Sequence, residues 1–120
     1  MRLYIAVLDE FPDFMTPTLV AHAVLGAHLK FSAPGRDLYW KETEYLYPNY
    51  VDWLNNSFKK CVVRVNQKEF DKISALPNVY LGLEKKTLVG RYSCAVVCPI
   101  PDNELPKVLK FAKLWKPKSE

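Results

Sequence analysis

His22 is the side chain in this sequence best suited to moving a proton near neutral pH, and the acids that could orient it are Asp9, Asp13 and Glu84. An imidazole held by a carboxylate at one ring nitrogen can use the other as a base toward water. The competing reading is a packed histidine bonded to a backbone carbonyl. Glu84 is followed by Lys85 and Lys86, with Arg91 a few residues on. A carboxylate beside such cations could hold a water while the cations receive phosphate, an arrangement that suits the end of an RNA. Solvated charge in a loop is the plainer alternative. His28 follows His22 by six residues, so on a helix the two rings point about 120° apart and cannot share a metal ion. Cys94 and Cys98 lie about 13 Å apart along a strand, at about 3.3 Å per residue, which is too far to chelate one ion. Cys61, Cys94 and Cys98 therefore read as reduced core residues. No glycine-rich phosphate loop, serine elbow or metal-ligand spacing is present, so no metal and no cofactor is expected.

The elements that must position these residues can be read from the pattern. Leu3 to Leu8 is an apolar run before Asp9 and Glu10, as in a central strand buried on both faces. Glu10 to Met15, with Phe11, Pro12, Asp13 and Phe14, reads as a loop over the carboxyl end of that strand, where open α/β sheets place ligands. Thr16 can cap a helix that Pro17 begins and that runs to about Phe31, apolar nearly all round and so expected to lie between the sheet and something else. An aromatic-rich excursion follows from Leu38 to Phe58, with a short helix over Pro48 to Leu54. Its Tyr39, Trp40, Tyr45, Tyr47, Tyr50 and Trp53 suit a lid packed on the domain, base stacking, or contact with a protein partner or a second copy of the chain.

Lys60 to Val65 is a second strand, Asn66 and Glu69 form a capping-box start, and Phe70, Ile73 and Leu76 give a helix that Pro77 stops. Val79 to Leu83 is the third strand, and strand, helix, strand predicts parallel strands with a right-handed connection. After a basic loop from Glu84 to Tyr92, Ser93 to Ile100 gives the fourth strand. Asp102 or Asn103 can then cap a last helix with Leu105, Val108, Leu109 and Ala112 inward and Lys107, Lys110, Lys113 and Lys116 solvated. Residues 1–116 read as one domain and 117–120 as a frayed tail.

Composition sets the bounds. A chain of 120 residues with 49% hydrophobic and 13% aromatic residues can bury one core. No apolar run approaches the roughly 18 residues of a membrane span, and the chain enters its first strand without a signal-peptide core, so a soluble cytoplasmic protein is expected. The net charge of +4 allows an acidic partner, nucleic acid included, without requiring one.

The order of elements and several local strings resemble the peptidyl-tRNA hydrolases of the second, archaeal and eukaryotic type. Thr18 to Ala27, with His22 and Gly26, resembles that family's A-A-Q-x-x-H-A helix. Val51-Asp52-Trp53-Leu54 and Lys60-Cys61-Val62-Val63 resemble its Trp-bearing helix and following K-V-V-V strand, and Cys94 to Pro101 with Pro106 to Trp115 resembles its closing strand and helix. The resemblance implies a three-layer α/β/α sandwich with a four-stranded mixed sheet, and hydrolysis of the ester joining a peptide to the tRNA 3′ end. Three places depart from the family. Pro12-Asp13-Phe14-Met15-Thr16 has no counterpart of its loop lysine, Glu84 stands where the Asp of a D-A-G-R-T loop would fall, and Leu19 lies near the helix glutamine. The expected function is thus a divergent relative that binds tRNA or an RNA end through Asp13, Lys85, Lys86 and Arg91, with hydrolysis weak or lost. The alternatives are an active ester hydrolase using His22 and Glu84, and a non-enzymatic protein-binding module using residues 39–53.

Overall fold

A computed structural model of the chain describes residues 1–34, 45–85 and 90–118. The elements in chain order are β1 (Arg2–Leu8), α1 (Thr16–Phe31), α2 (Pro48–Asn55), β2 (Lys59–Val65), α3 (Gln67–Ser74), β3 (Val79–Glu84), β4 (Arg91–Ile100), α4 (Lys107–Lys110) and β5 (Lys113–Leu114). They build one mixed sheet in the order β3-β4-β1-β2-β5. β1 is central and buried from Leu3 to Leu8, as its unbroken apolar run requires. It pairs in parallel with β2, Ile5 opposite Val62, and antiparallel with β4, Ala6 opposite Ala95. β4 also pairs antiparallel with β3, so β2 and β3 run in the same sense, as the strand-helix-strand pattern predicts, but with β1 and β4 between them.

Helices lie on both faces. A Cβ on Gly82 would sit 3.1 Å from Ala23 Cβ, which shows how closely β3 approaches α1. The adjacent Leu81 points the other way and lines a hollow with Phe70, Asp71 and Ser74 of α3, as strand alternation dictates. α3 starts with the expected capping box: Glu69 N–H donates to Asn66 Oδ1 at 2.8 Å and Asn66 N–H to Glu69 Oε1 at 3.0 Å. α2 closes the amino end of the core, where Trp53 donates its indole N–H to Lys59 O at 2.7 Å and Phe31, Tyr47, Tyr50 and Trp53 form a chain of ring contacts. Tyr39 and Trp40 lie outside the described residues.

Five expectations are corrected. The sheet has five strands, not four, because Lys113 and Leu114 pair with Arg64 and Val63 at the edge of β2. The continuous last helix is replaced by a 3-10 turn at Asp102–Glu104, the single turn of α4, and then β5. Leu105, preceding Pro106, is held extended at φ −64° and ψ 125°, because the proline ring disfavours helical geometry in the residue before it. Neither Asp102 nor Asn103 caps a helix by its side chain. Thr16 lies inside α1 and is not its cap, because the 3-10 turn Asp13–Met15 leads straight into the helix. α1 is also less enclosed than its composition predicts: Leu25 and Leu29 remain exposed on its outer side.

Candidate active site

The parallel strands β1, β2 and β3 all end on the same side of the sheet, and β4 begins there. Their termini bring Asp9, Glu10, Arg64, Glu84 and Arg91 to one end of the domain, with His22 arriving from the second turn of α1. Glu84 is the last residue of β3, its backbone facing Arg91 of β4 in register. Gly90, at φ +79°, turns the connecting loop in the left-handed conformation that favours glycine and donates its N–H to Glu84 O at 2.8 Å.

His22 and Glu84 meet. His22 Nδ1 lies 3.1 and 3.2 Å from the two carboxylate oxygens of Glu84. The histidine side chain is 54% exposed and that of the glutamate only 7%. A carboxylate only accepts, so an imidazole that faces an ionised Glu84 through Nδ1 carries its proton there and keeps Nε2 as the acceptor. Beneath it, the wholly buried Ser93 hydroxyl lies 3.4 Å from Glu84 Oε1 and 3.5 Å from Gly82 O. Among the described residues no backbone carbonyl bonds His22, and of the three candidate acids Glu84 is the one that meets it.

Asp9 and Asp13 are committed elsewhere. Arg64 donates to Asp9 Oδ1 at 2.9 Å and to both oxygens of Asp13 at 3.0 and 3.2 Å. Its guanidinium also lies 4.8 Å from the Trp115 ring centre and donates to Lys116 O. Lys118 adds its ammonium to Asp9 at 3.0 Å and its backbone N–H to Asp13 at 2.7 Å. The Lys118 ammonium and then Arg64 hold the Asp9 carboxyl below its ordinary value, and Arg64 and then the Lys118 N–H do so for Asp13. Lys116 and Lys118 are therefore tied to Arg64 and to the loop after β1, and of the tail expected over 117–120 the last two residues lie outside the described residues.

The cations expected to meet phosphate divide. Lys85 is exposed at the mouth of the site, and Lys86 lies outside the described residues. Arg91 pairs with Glu10 and lies 4.8 Å over the Phe11 ring. The site also contains Arg64, Ser93 and Lys118, which sequence reading missed. Arg64 had a signal, being a lone cation within the apolar Cys61-Val62-Val63-Arg64-Val65. Ser93 and Lys118 had none.

Among the described residues no cluster of three metal-ligating side chains occurs. The cysteines are free, and burial pushes Cys94 up to about 12 and Cys98 up to about 11, which keeps both as thiols. No helix among the described residues is long and apolar enough to cross a membrane. Tyr50 and Trp53 are core residues, each 2% exposed, so the exposed aromatics of the excursion among the described residues are Tyr45 and Phe58. No protein-family model matches this chain, and no curated protein matches it either.

Proposed function

We propose that this protein is a peptidyl-tRNA-hydrolase-like enzyme that receives an RNA 3′ end carrying an acyl ester and hydrolyses the ester slowly, with His22 as the base and Glu84 as its orienting partner. One observation carries this reading: a buried carboxylate holds Nδ1 of an exposed imidazole at the carboxyl end of the sheet. The order of elements that resembles the second type of peptidyl-tRNA hydrolase gives the reading its substrate.

In this reading Nε2 of His22 takes a proton from water, the resulting hydroxide attacks the ester carbonyl, and the imidazolium that forms is stabilised by Glu84. The proton then passes to the departing ribose oxygen. Lys85 receives phosphate of the RNA end. Slow turnover follows from the charges around the site. Arg64, Lys118 and Arg91 are already paired with Asp9, Asp13 and Glu10, and those pairs lower their capacity to stabilise a developing oxyanion. The same pairing argues against Asp13 and Arg91 as free RNA contacts.

An N-acylated aminoacyl-tRNA incubated with enzyme in excess tests the proposal. Wild type is expected to release the N-acyl amino acid in a time course faster than spontaneous deacylation. His22→Ala and Glu84→Gln should each lose about 10² to 10⁴ of that acceleration. No acceleration by wild type, or full activity in His22→Ala, contradicts it.

A further inference from the structure

The segment from Leu105 to Lys118 holds five lysines, at 107, 110, 113, 116 and 118, and no acidic residue. On a continuous helix these would be scattered around the axis. The structure lays them out differently: one helical turn, then an extended strand along the open edge of the sheet. All five are exposed. Phe111 stands among them with 72% of its surface in water, and the Lys110 ammonium lies 5.7 Å from its ring centre. Trp115 anchors the strip from below, its backbone N–H donating to Val62 O at 2.9 Å and its ring over Arg64.

An exposed aromatic ring beside one ammonium group, with further exposed lysines before and after it in the chain, offers a stacking platform beside phosphate partners, the combination by which proteins hold single-stranded nucleic acid. We propose that this carboxyl-terminal edge binds a single-stranded nucleic acid, with phosphates on Lys107, Lys110 and Lys113 and a base stacked on Phe111. Lys118 is excluded from that set because Asp9 and Asp13 hold it. The chemistry disfavours the other occupants. A protein interface keeps its charge at the rim, whereas here like charges run through the middle. A lipid surface needs a wide apolar face, and this strip offers only Phe111 and Leu114. β5 and β3 are opposite edges of the sheet, so the strip lies four strand spacings, about 19 Å, from the strand that carries Glu84. A strand of nucleic acid lying on it is therefore a contact separate from the one at His22, and the proposal does not require that any ester be cleaved.

Fluorescence anisotropy with a fluorescein-labelled single-stranded RNA bearing no acyl group tests it, so a failure of hydrolysis cannot affect the outcome. A DNA strand of the same sequence, the matching RNA duplex, and phosphatidylserine vesicles serve as further probes. Replacing Lys107, Lys110 and Lys113 together by Gln should weaken binding at least tenfold and reduce the slope of log affinity against log salt by about 2, at about 0.7 per phosphate contact. Phe111→Ala should weaken single-strand binding between about fivefold and a hundredfold and leave duplex binding unchanged. Lys72→Gln, on exposed α3 surface, should change neither. All these side chains are exposed, and unchanged melting of the variants confirms their folding. The proposal is overturned if wild type binds no single strand, if the triple variant and Phe111→Ala bind as wild type does, or if only the vesicles are bound.

Discussion

Glu84 is costly to bury alone, since a carboxylate deprived of water needs partners for its oxygens, and His22 and Ser93 are those partners. That requirement explains why this contact, between residues 62 positions apart, was within reach of sequence reasoning. A histidine in a small-residue helix and an acid at a strand end both belong at the ligand end of an open sheet. The choice between Asp9, Asp13 and Glu84 was not legible, because it depends on where Arg64 and Lys118 send their charges. Those two cations give a prediction in acid. Asp9 and Asp13 have folded-state values below the ordinary 3.8, so the folded protein binds fewer protons than the unfolded chain. Their contribution to stability is then present above about pH 4 and is lost as the pH falls through the lowered values. Arg64→Met should lower the urea midpoint at pH 6 and come closer to wild type at pH 3. A difference that stays constant between the two pH values would contradict the assigned pairs.

At the scale of elements, periodicity and capping signals located β1, α1, α3, β3 and β4 closely, because each carries its own pattern. The carboxyl-terminal region shows where such a pattern misleads. Leu105, Val108, Leu109 and Ala112 have helical spacing, yet Pro106 breaks the run and pairing with β2 takes over after one turn. The contact between α1 and β3 is a second feature with little trace in the sequence. A Cβ on Gly26 would overlap the hydroxyl and ring of Tyr80. Gly26→Ala gains about 1 kcal/mol in helix propensity, but displacing the Tyr80 ring costs about 1–3 kcal/mol. Net destabilisation in urea unfolding is expected, and it should vanish or reverse in a Tyr80→Ala background. Equal effects of Gly26→Ala in both backgrounds would show that the helix and the ring are not in contact.

For the whole molecule, an α/β architecture with a mixed open sheet was readable from alternation of apolar strands and amphipathic helices. The fifth strand was not, since two residues at an edge carry no period of their own. Nor was the docking of Lys116 and Lys118 beside the site, a long-range ion-pair effect linking the first loop to Lys118. The consequence is a domain in which Lys116 and Lys118, the first loop and the third strand converge at one end of the sheet, with His22 open above a buried acid. The imidazole tautomer tests this account without any knowledge of the substrate, through the nitrogen-15 spectrum of neutral His22 in protein labelled at its histidines. Placement of the proton on Nδ1 in wild type, with loss of that preference in Glu84→Gln, is the predicted result. A proton found on Nε2 in wild type, or a spectrum that Glu84→Gln leaves unchanged, would contradict it.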